Sequence, residues 1–207
     1  MSTQWYPGKA VTKSVQITNT ASGATQTMTD LVFEISIQSS MYDYHSFCEI
    51  QVIDALNFLS NFPIEAGNKI DIKIQYENST QDYEFYVTKI SKIQQIDKER
   101  TYSIEAISKL GFLSMSKKWS CAYFGTTSEM AASIFNEFDG GKVGIWEESK
   151  GARWFISPQW TPTKALSYLA SESISVDGKN RFVFFQNCQQ EYNFCPVETL
   201  GRKGPII

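Results

Sequence analysis

The sequence has 207 residues, of which 42% are hydrophobic, so it is long enough to form one large folded domain or two small ones. Charged residues make up 20% and the formal net charge is -3, which leaves no basic surplus for binding the backbone of free duplex DNA. No stretch approaches the roughly 18 apolar residues of a membrane-spanning helix or contains a signal-peptide core, so we expect the protein to be made and kept in a cytoplasm unless it is exported by assembly, without membrane insertion.

Residues 1–26 are polar and rich in Ser, Thr and Gly. This composition predicts an N-terminal arm, in which the short alternating piece around Val15 and Ile17 adds an edge strand to the structure that follows.

Alternation of apolar and polar residues dominates residues 27–115, and each alternating segment is typical of a strand with one buried face. The segments are 31–38, 47–53, 70–76, 83–87 and 102–106. The alternation slips register after Thr88, which indicates a β-bulge. Short strands joined by polar turns predict a small antiparallel barrel or sandwich here, and the apolar interruption at 54–68 predicts a short helix at one end.

A helical period replaces this alternation near Met115. Thr126 and Glu129 form a capping-box pattern, and the apolar stripe that follows ends at the glycines of DGGK, which predicts the first helix of a second domain. This domain is predicted to be an α+β unit over residues 116–207, containing two helices and a β-hairpin, so the fold class of the chain is α+β.

The second predicted helix begins in the segment WTPTKALSYLAS. Its threonine suits the N-cap, its proline the first helical position, and its leucines form a stripe that packs against the aromatic strand RFVFF. The residues predicted to build this helix and strand are Thr161, Pro162, Leu166, Leu169, Phe182 and Phe184.

No sequence motif for catalysis, phosphate binding or metal binding is present, and the four cysteines include no CxxC pair. The adjacent Glu147 and Glu148 do not have the spacing that a glycosidase needs. The only histidine lies in the aromatic segment MYDYHSF, which predicts a contact with neighbouring subunits rather than a general base. The predicted contact residues are Tyr42, Asp43, Tyr44 and His45. We therefore expect a protein that is not an enzyme and has no cofactor or metal.

The order of these elements, with WTPTKALSYLASES followed by RFVFF, resembles the baseplate hub protein of contractile-tailed bacteriophages. The parallel covers residues 156–186: an aromatic residue, a Thr-capped helix with Leu-Ser-Tyr at its centre, a glycine turn and an aromatic strand. The barrel pattern around IEAGNKIDIKI adds weaker support.

The resemblance implies a tube-like barrel and a structural virion protein of the tail baseplate, which links the tail tube to the central spike and forms a ring around the tail channel. The implied partners are further copies in a homotrimer, the tail tube or a tube-initiator protein, the central spike protein and the baseplate wedge proteins. DNA would only pass through transiently.

One departure from the hub family concerns the number of barrels. Three hub chains with two barrels each match a tube of six-fold symmetry, whereas this sequence has one barrel pattern. Either the chain is a fragment or the protein is a reduced relative with one barrel, and of these we expect that the native chain continues beyond Ile207, where a second barrel would begin.

Two alternatives remain open from the sequence. The chain could be a cell-wall hydrolase domain of the tail, although no convincing acid–base pair is present. It could also be a carbohydrate- or receptor-binding module that uses the tryptophan-rich second half.

Overall fold

The computed structural model describes residues 10–76, 79–96, 99–138, 141–178 and 181–202, and the chain divides into two compact units. The first unit comprises Met1–Gln38 and Phe47–Ser108, and the second comprises Ser39–Ser46 and Lys109–Ile207. This division differs from the predicted boundary at residue 115 because Leu110 is a core residue of the second unit. It also differs at 39–46, because Tyr44 packs on that second core.

A seven-stranded sheet forms the first unit. Its strands are β1 (Val11–Thr18), β2 (Thr25–Thr27), β3 (Val32–Gln38), β4 (Phe47–Asp54), β5 (Lys69–Gln75), β6 (Thr80–Ile96) and β7 (Glu99–Ile107). Their order is β2-β1-β5-β6-β7-β4-β3, and every neighbouring pair is antiparallel. A 3-10 turn (Thr29–Leu31) joins β2 to β3. The β6–β7 register shifts between Val87 and Lys89, which is the position of the predicted bulge.

Alternate residues of these strands point into one core, because successive side chains of a strand face opposite sides of the sheet. The fully buried members include Val15, Ile17, Ile50, Ile70, Phe85 and Ile104. The predicted α+β class is confirmed, with mostly antiparallel sheets. Within the described residues the outermost strands, β2 and β3, do not pair, so the sheet is open and the predicted barrel is not closed.

A buried carboxylate organises the connection between β4 and β5. Asp54 is 1% exposed, and its two carboxylate oxygens accept hydrogen bonds from the backbone N–H groups of Leu56, Phe58 and Leu59 at 2.8–3.1 Å. These bonds start the short helix α1 (Phe58–Asn61), since the first N–H groups of a helix have no acceptor within it. Phe62 then enters the core.

The second unit combines four further helices with two small sheets. The helices are α2 (Lys109–Ser116), α3 (Thr127–Phe138), α4 (Pro162–Ser171) and α5 (Val197–Arg202). The strands are β8 (Ala122–Thr126), β9 (Val143–Trp146), β10 (Ala152–Ile156), β11 (Phe182–Gln186) and β12 (Tyr192–Pro196). β8 pairs with β10, and β12 lies between antiparallel β11 and parallel β9. None of these helices is long and apolar enough to span a bilayer.

The core of the second unit forms where α3 and α4 pack against aromatic strands. Thr161 is the N-cap of α4, where its hydroxyl accepts a hydrogen bond from the backbone N–H of Lys164 at 3.4 Å, and Pro162 is the first helical residue. Helical spacing then places Leu166 and Leu169 in the core. The buried strand residues around them include Phe182, Phe184 and Phe194.

Candidate interaction surfaces

The two outer strands of the first unit present unpaired edges. β3 pairs with β4 on one side only, and β2 covers β1 only at residues 16–18, so the preceding part of β1 has no strand on that side among the described residues. Phe33 on β3 is 70% exposed. Free N–H and C=O groups along a strand edge can pair with a strand of another chain, so these edges are candidate assembly surfaces.

The outward face of the same sheet carries ion pairs beside exposed apolar side chains such as Phe47 and Ile53. Lys69 forms ion pairs with Asp71 at 2.9 Å and Glu84 at 3.5 Å. Lys92 binds Glu49 at 2.6 Å, and this hydrogen bond lowers the pKa of the Glu49 carboxyl. Because these charges are already paired within the sheet, they offer no single-sign field to a nucleic acid.

The predicted contact segment, Tyr42 to His45, divides between surface and interior. Tyr42 is 79% exposed and Asp43 is also exposed, whereas Tyr44 is half-buried and packs on the core of the second unit. Next in the chain, the buried Ser46 donates its backbone N–H to the side-chain carbonyl of Gln186 at 3.0 Å. Tyr42 is therefore the member of the segment best placed to contact another molecule.

His45 has a packing role in this segment. A Cβ atom at Gly111 of α2 would lie 2.8 Å from Cγ of the His45 ring, so the ring sits where only a glycine leaves room. Burial disfavours the charged imidazolium and lowers the pKa of His45, while the nearby Asp43 carboxylate acts in the opposite direction. This environment favours the neutral ring.

Beside this segment lies a groove of about 520 Å3 in the second unit. Its apolar lining is provided by Met41, Tyr42, Phe182, Val183 and Val197. The remaining lining residues are Ser171 and the oppositely charged Arg181 and Glu198. Arg181 has a φ of 81°, in the left-handed region that non-glycine residues seldom adopt, and its carbonyl accepts the N–H of Val197 at 3.1 Å. The groove is concave and mainly apolar, with one charge of each sign.

The β8–β10 ribbon carries the most exposed aromatic pair of the second unit. Phe124 and Trp154 are direct cross-strand partners with ring centroids 4.8 Å apart, and they are 62% and 72% exposed. Ile156, on the same face, is 67% exposed. On the opposite face Tyr123 and Phe155 stack at 6.3 Å and pack into the core. The ribbon therefore has two apolar faces, and only one is covered.

A buried group of hydroxyls joins the start of α3 to the loop after β9. The Ser149 hydroxyl accepts hydrogen bonds from the Ser128 backbone N–H at 2.8 Å and the Thr127 hydroxyl at 2.7 Å, and the Thr127 hydroxyl lies 2.6 Å from that of Ser173. All four residues are at most 5% exposed. These hydroxyls bond to one another and to backbone groups, so they stabilise the fold and form no nucleophile–base pair.

The described residues offer no metal site, since no three His, Cys, Asp or Glu side chains come together among them. The residues predicted to build a helix and a strand lie in α4 with its N-cap and in β11: Thr161, Pro162, Leu166, Leu169, Phe182 and Phe184. Phe182 also lines the groove, a role that its place in the sequence does not reveal.

Comparison with solved structures finds this fold in phage tail proteins. The 43 kDa tail protein of prophage MuSo2 from Shewanella oneidensis superposes with a TM-score of 0.57 at 13% identity, over 88% of this chain and 54% of that one. A tail protein from Neisseria meningitidis MC58 also superposes with a TM-score of 0.57 at 13% identity, over 91% of this chain and 51% of that one. A chain of the Francisella PdpA–VgrG complex superposes with a TM-score of 0.51 at 11% identity, over 95% of this chain and 30% of that one.

These similarities concern the fold alone, because sequence identities of 11–13% are too low to indicate a shared function. The chain spans about half the length of the two tail proteins. No protein-family model matches the sequence, and no curated protein matches it. The outer face of the ribbon lies outside the segments singled out in the sequence, whereas the groove is lined partly by Tyr42 and Phe182, which the sequence did single out.

Proposed function

We propose that this chain is a structural component of a phage-type tail, acting as a baseplate hub that links the tail tube to the central spike. The observation that carries the proposal is the fold itself, a sheet unit followed by an α+β unit, which is shared with two tail proteins, one of them from a prophage, over about nine-tenths of this chain. The proposed location is the tail baseplate of the virion, and the proposed role involves no catalysis.

The open sheet supports a role in a ring. Its two unpaired edges lie on strands at opposite ends of the strand order, so the β3 edge of one copy can pair with the β1–β2 edge of the next. A contact between two different surfaces of identical chains closes into a ring when the rotation permits. We propose a homotrimer around the tail channel, through which DNA passes transiently.

The other proposed partners are the tail tube or a tube-initiator protein, the central spike protein and the baseplate wedge proteins. Their support is the resemblance of residues 156–186 to the hub family, together with the tail-protein fold. Mass spectrometry of purified tails, combined with image reconstruction, tests this directly. We expect the chain at the spike end of the tube in three copies; its absence from tails contradicts the proposal.

A matched pair of variants tests the strand edge. Phe33→Lys places a charge on the exposed β3 edge and should prevent incorporation into tails, because edge charges oppose strand addition. Leu56→Lys is the control, since Leu56 is 74% exposed but lies outside the strands. Equal incorporation of both variants would show that the β3 edge is not an assembly surface.

A carbohydrate-binding function is the second candidate, and the exposed Phe124–Trp154 pair favours it. Of the tryptophans in the described residues, Trp119, Trp146 and Trp160 pack against the core instead, and Trp154 is the exposed one that could serve as an aromatic platform. Titration of the chain with purified glycans should change tryptophan fluorescence if this candidate is right, and flat titrations remove it.

A further inference from the structure

The groove beside Tyr42 carries two opposite charges that are not neutralised locally. Arg181 and Glu198 both line it, yet neither forms an ion pair with another described residue. Elsewhere in the same unit Arg153 pairs with Glu172 at 3.2 Å. One unpaired charge of each sign beside an apolar lining can be recognised by a partner with the complementary charges.

A main-chain position in this groove also lacks hydrogen-bond partners. Phe182 lines the groove at the start of β11, a strand that pairs only with β12 among the described residues. The N–H and C=O of Phe182 point away from β12, because the preceding Arg181 carbonyl faces it and accepts the N–H of Val197. No described residue bonds to these two groups, although Phe182 is 4% exposed. Main-chain groups of buried residues are almost always hydrogen-bonded, so this position favours a ligand that supplies a donor and an acceptor.

We propose that the groove binds an extended peptide segment of another protein, in which an apolar side chain lies between an acidic and a basic residue. The apolar side chain enters the groove, whose volume of about 520 Å3 is sufficient for an aromatic ring and whose lining includes Val183 and Val197. The acidic residue pairs with Arg181 and the basic residue with Glu198. The main chain of the segment bonds to that of Phe182, as in the addition of a strand to a sheet edge.

The charges also indicate that this segment does not come from the ends of the chain itself. Residues 1–9 and 203–207, which lie outside the described residues, contain no Asp or Glu that could pair with Arg181. Every groove residue belongs to the second unit, so the site is complete within that unit. The inference therefore goes beyond the proposed function and does not depend on it.

Selection of random peptides displayed on phage, with the full chain immobilised, tests the inference. We expect enriched peptides that share an aromatic or branched apolar residue flanked by one acid and one base in a fixed order. Arg181→Glu combined with Glu198→Arg should enrich the opposite order, because the two groove charges have changed places. Arg153→Glu combined with Glu172→Arg is the matched control, since it reverses an ion pair outside the groove and should enrich the original order.

Fluorescence polarisation with the most enriched peptide then measures the contact. Its Kd should rise about tenfold on the variant with exchanged groove charges, because two exposed ion pairs become like-charge contacts. N-methylation of the peptide is applied in turn to each amide next to the apolar residue. At one of these positions it should weaken binding by about tenfold, since it removes the main-chain hydrogen bond to Phe182.

Several results would overturn the inference. They are the absence of enriched peptides, the same order of charges on the native chain and the exchanged variant, or N-methylated peptides that all bind as tightly as the parent. Tighter peptide binding after removal of residues 203–207 would show that the chain's own segment occupies the groove. A dimer of the isolated chain that the peptide dissociates would assign the groove to a second copy, and either result would refute a segment of another protein as the occupant.

Discussion

Replacing Ser149 by alanine should strongly destabilise the second unit, although Ser149 lies in a loop. The substitution removes the acceptor for the backbone N–H of Ser128 in the first turn of α3 and for the Thr127 hydroxyl. A buried donor without an acceptor costs about 1–3 kcal/mol. The Thr127 hydroxyl keeps the Ser173 oxygen at 2.6 Å, so its share is smaller, and we expect about 2–3 kcal/mol in total.

Urea unfolding followed by tryptophan fluorescence measures this loss in the correct unit, because four of the five tryptophans lie within it. With a slope near 2 kcal/mol/M, the midpoint should fall by about 1 M or more. Ser133→Ala is the matched control: its exposed hydroxyl bonds only to the Glu129 carbonyl on the same helix, so its midpoint should stay unchanged or rise slightly. Equal midpoints for Ser149→Ala and Ser133→Ala would refute the reasoning.

Three further measurements follow from local contacts. Thr161→Ala should destabilise the second unit by about 1 kcal/mol, whereas Thr161→Ser should not, because serine retains the N-cap hydroxyl. Equal urea midpoints for these two variants, followed by tryptophan fluorescence, would show that the cap contributes nothing. Burial lowers the pKa of His45 against the opposing effect of Asp43, so the folded protein is more stable above the ordinary pKa of about 6.5 and loses stability as the pH falls below it. His45→Gln should therefore reduce the fall in the unfolding midpoint between pH 7 and pH 5. The same fall in the variant and the native chain would contradict this. The cysteines divide into buried Cys48 and Cys195 and exposed Cys121 and Cys188. A thiol reagent at pH 8 should therefore label two thiols in the native chain and four in urea. Burial also raises the pKa of Cys48 to about 12, which keeps this thiol protonated and unreactive at pH 8. Rapid labelling of all four thiols in the native chain would contradict the burial.

Strand alternation predicted most of the first unit because each strand buries one face. Ile70, Ile72 and Ile74 alternate with polar residues, and all three lie in the core. Val15 and Ile17 carry the same signal within a polar arm, and the structure places them in β1, second from the edge of the sheet. The bulge after Val87 was also readable, because a register slip in the apolar pattern has no other simple cause.

The candidate surfaces were harder to predict, because local pattern does not show which face of an element is covered. AYFGT and ARWFI carry aromatic residues on both faces, so alternation gives no reason to bury Phe155 and expose Trp154. The segment WEESKGARW has the charged composition that is typical of a solvated loop, yet Ser149 within it is 5% exposed and bonded to α3. Its partners lie 21 and 22 residues away in the chain, beyond the reach of any local pattern.

The sequence by itself determined the main strands of the first unit, helices α3 and α4, the β11–β12 hairpin and the α+β class, since hydrophobic periodicity, capping residues and turn residues act over a few positions. Tertiary structure alone decided that the sheet stays open within the described residues, that Tyr44 is half-buried against a core while Tyr42 is exposed, and that Phe182, Val197 and Tyr42 line one groove. Those outcomes depend on contacts between residues far apart in the chain. Which side chains become buried is therefore determined only when the whole unit packs.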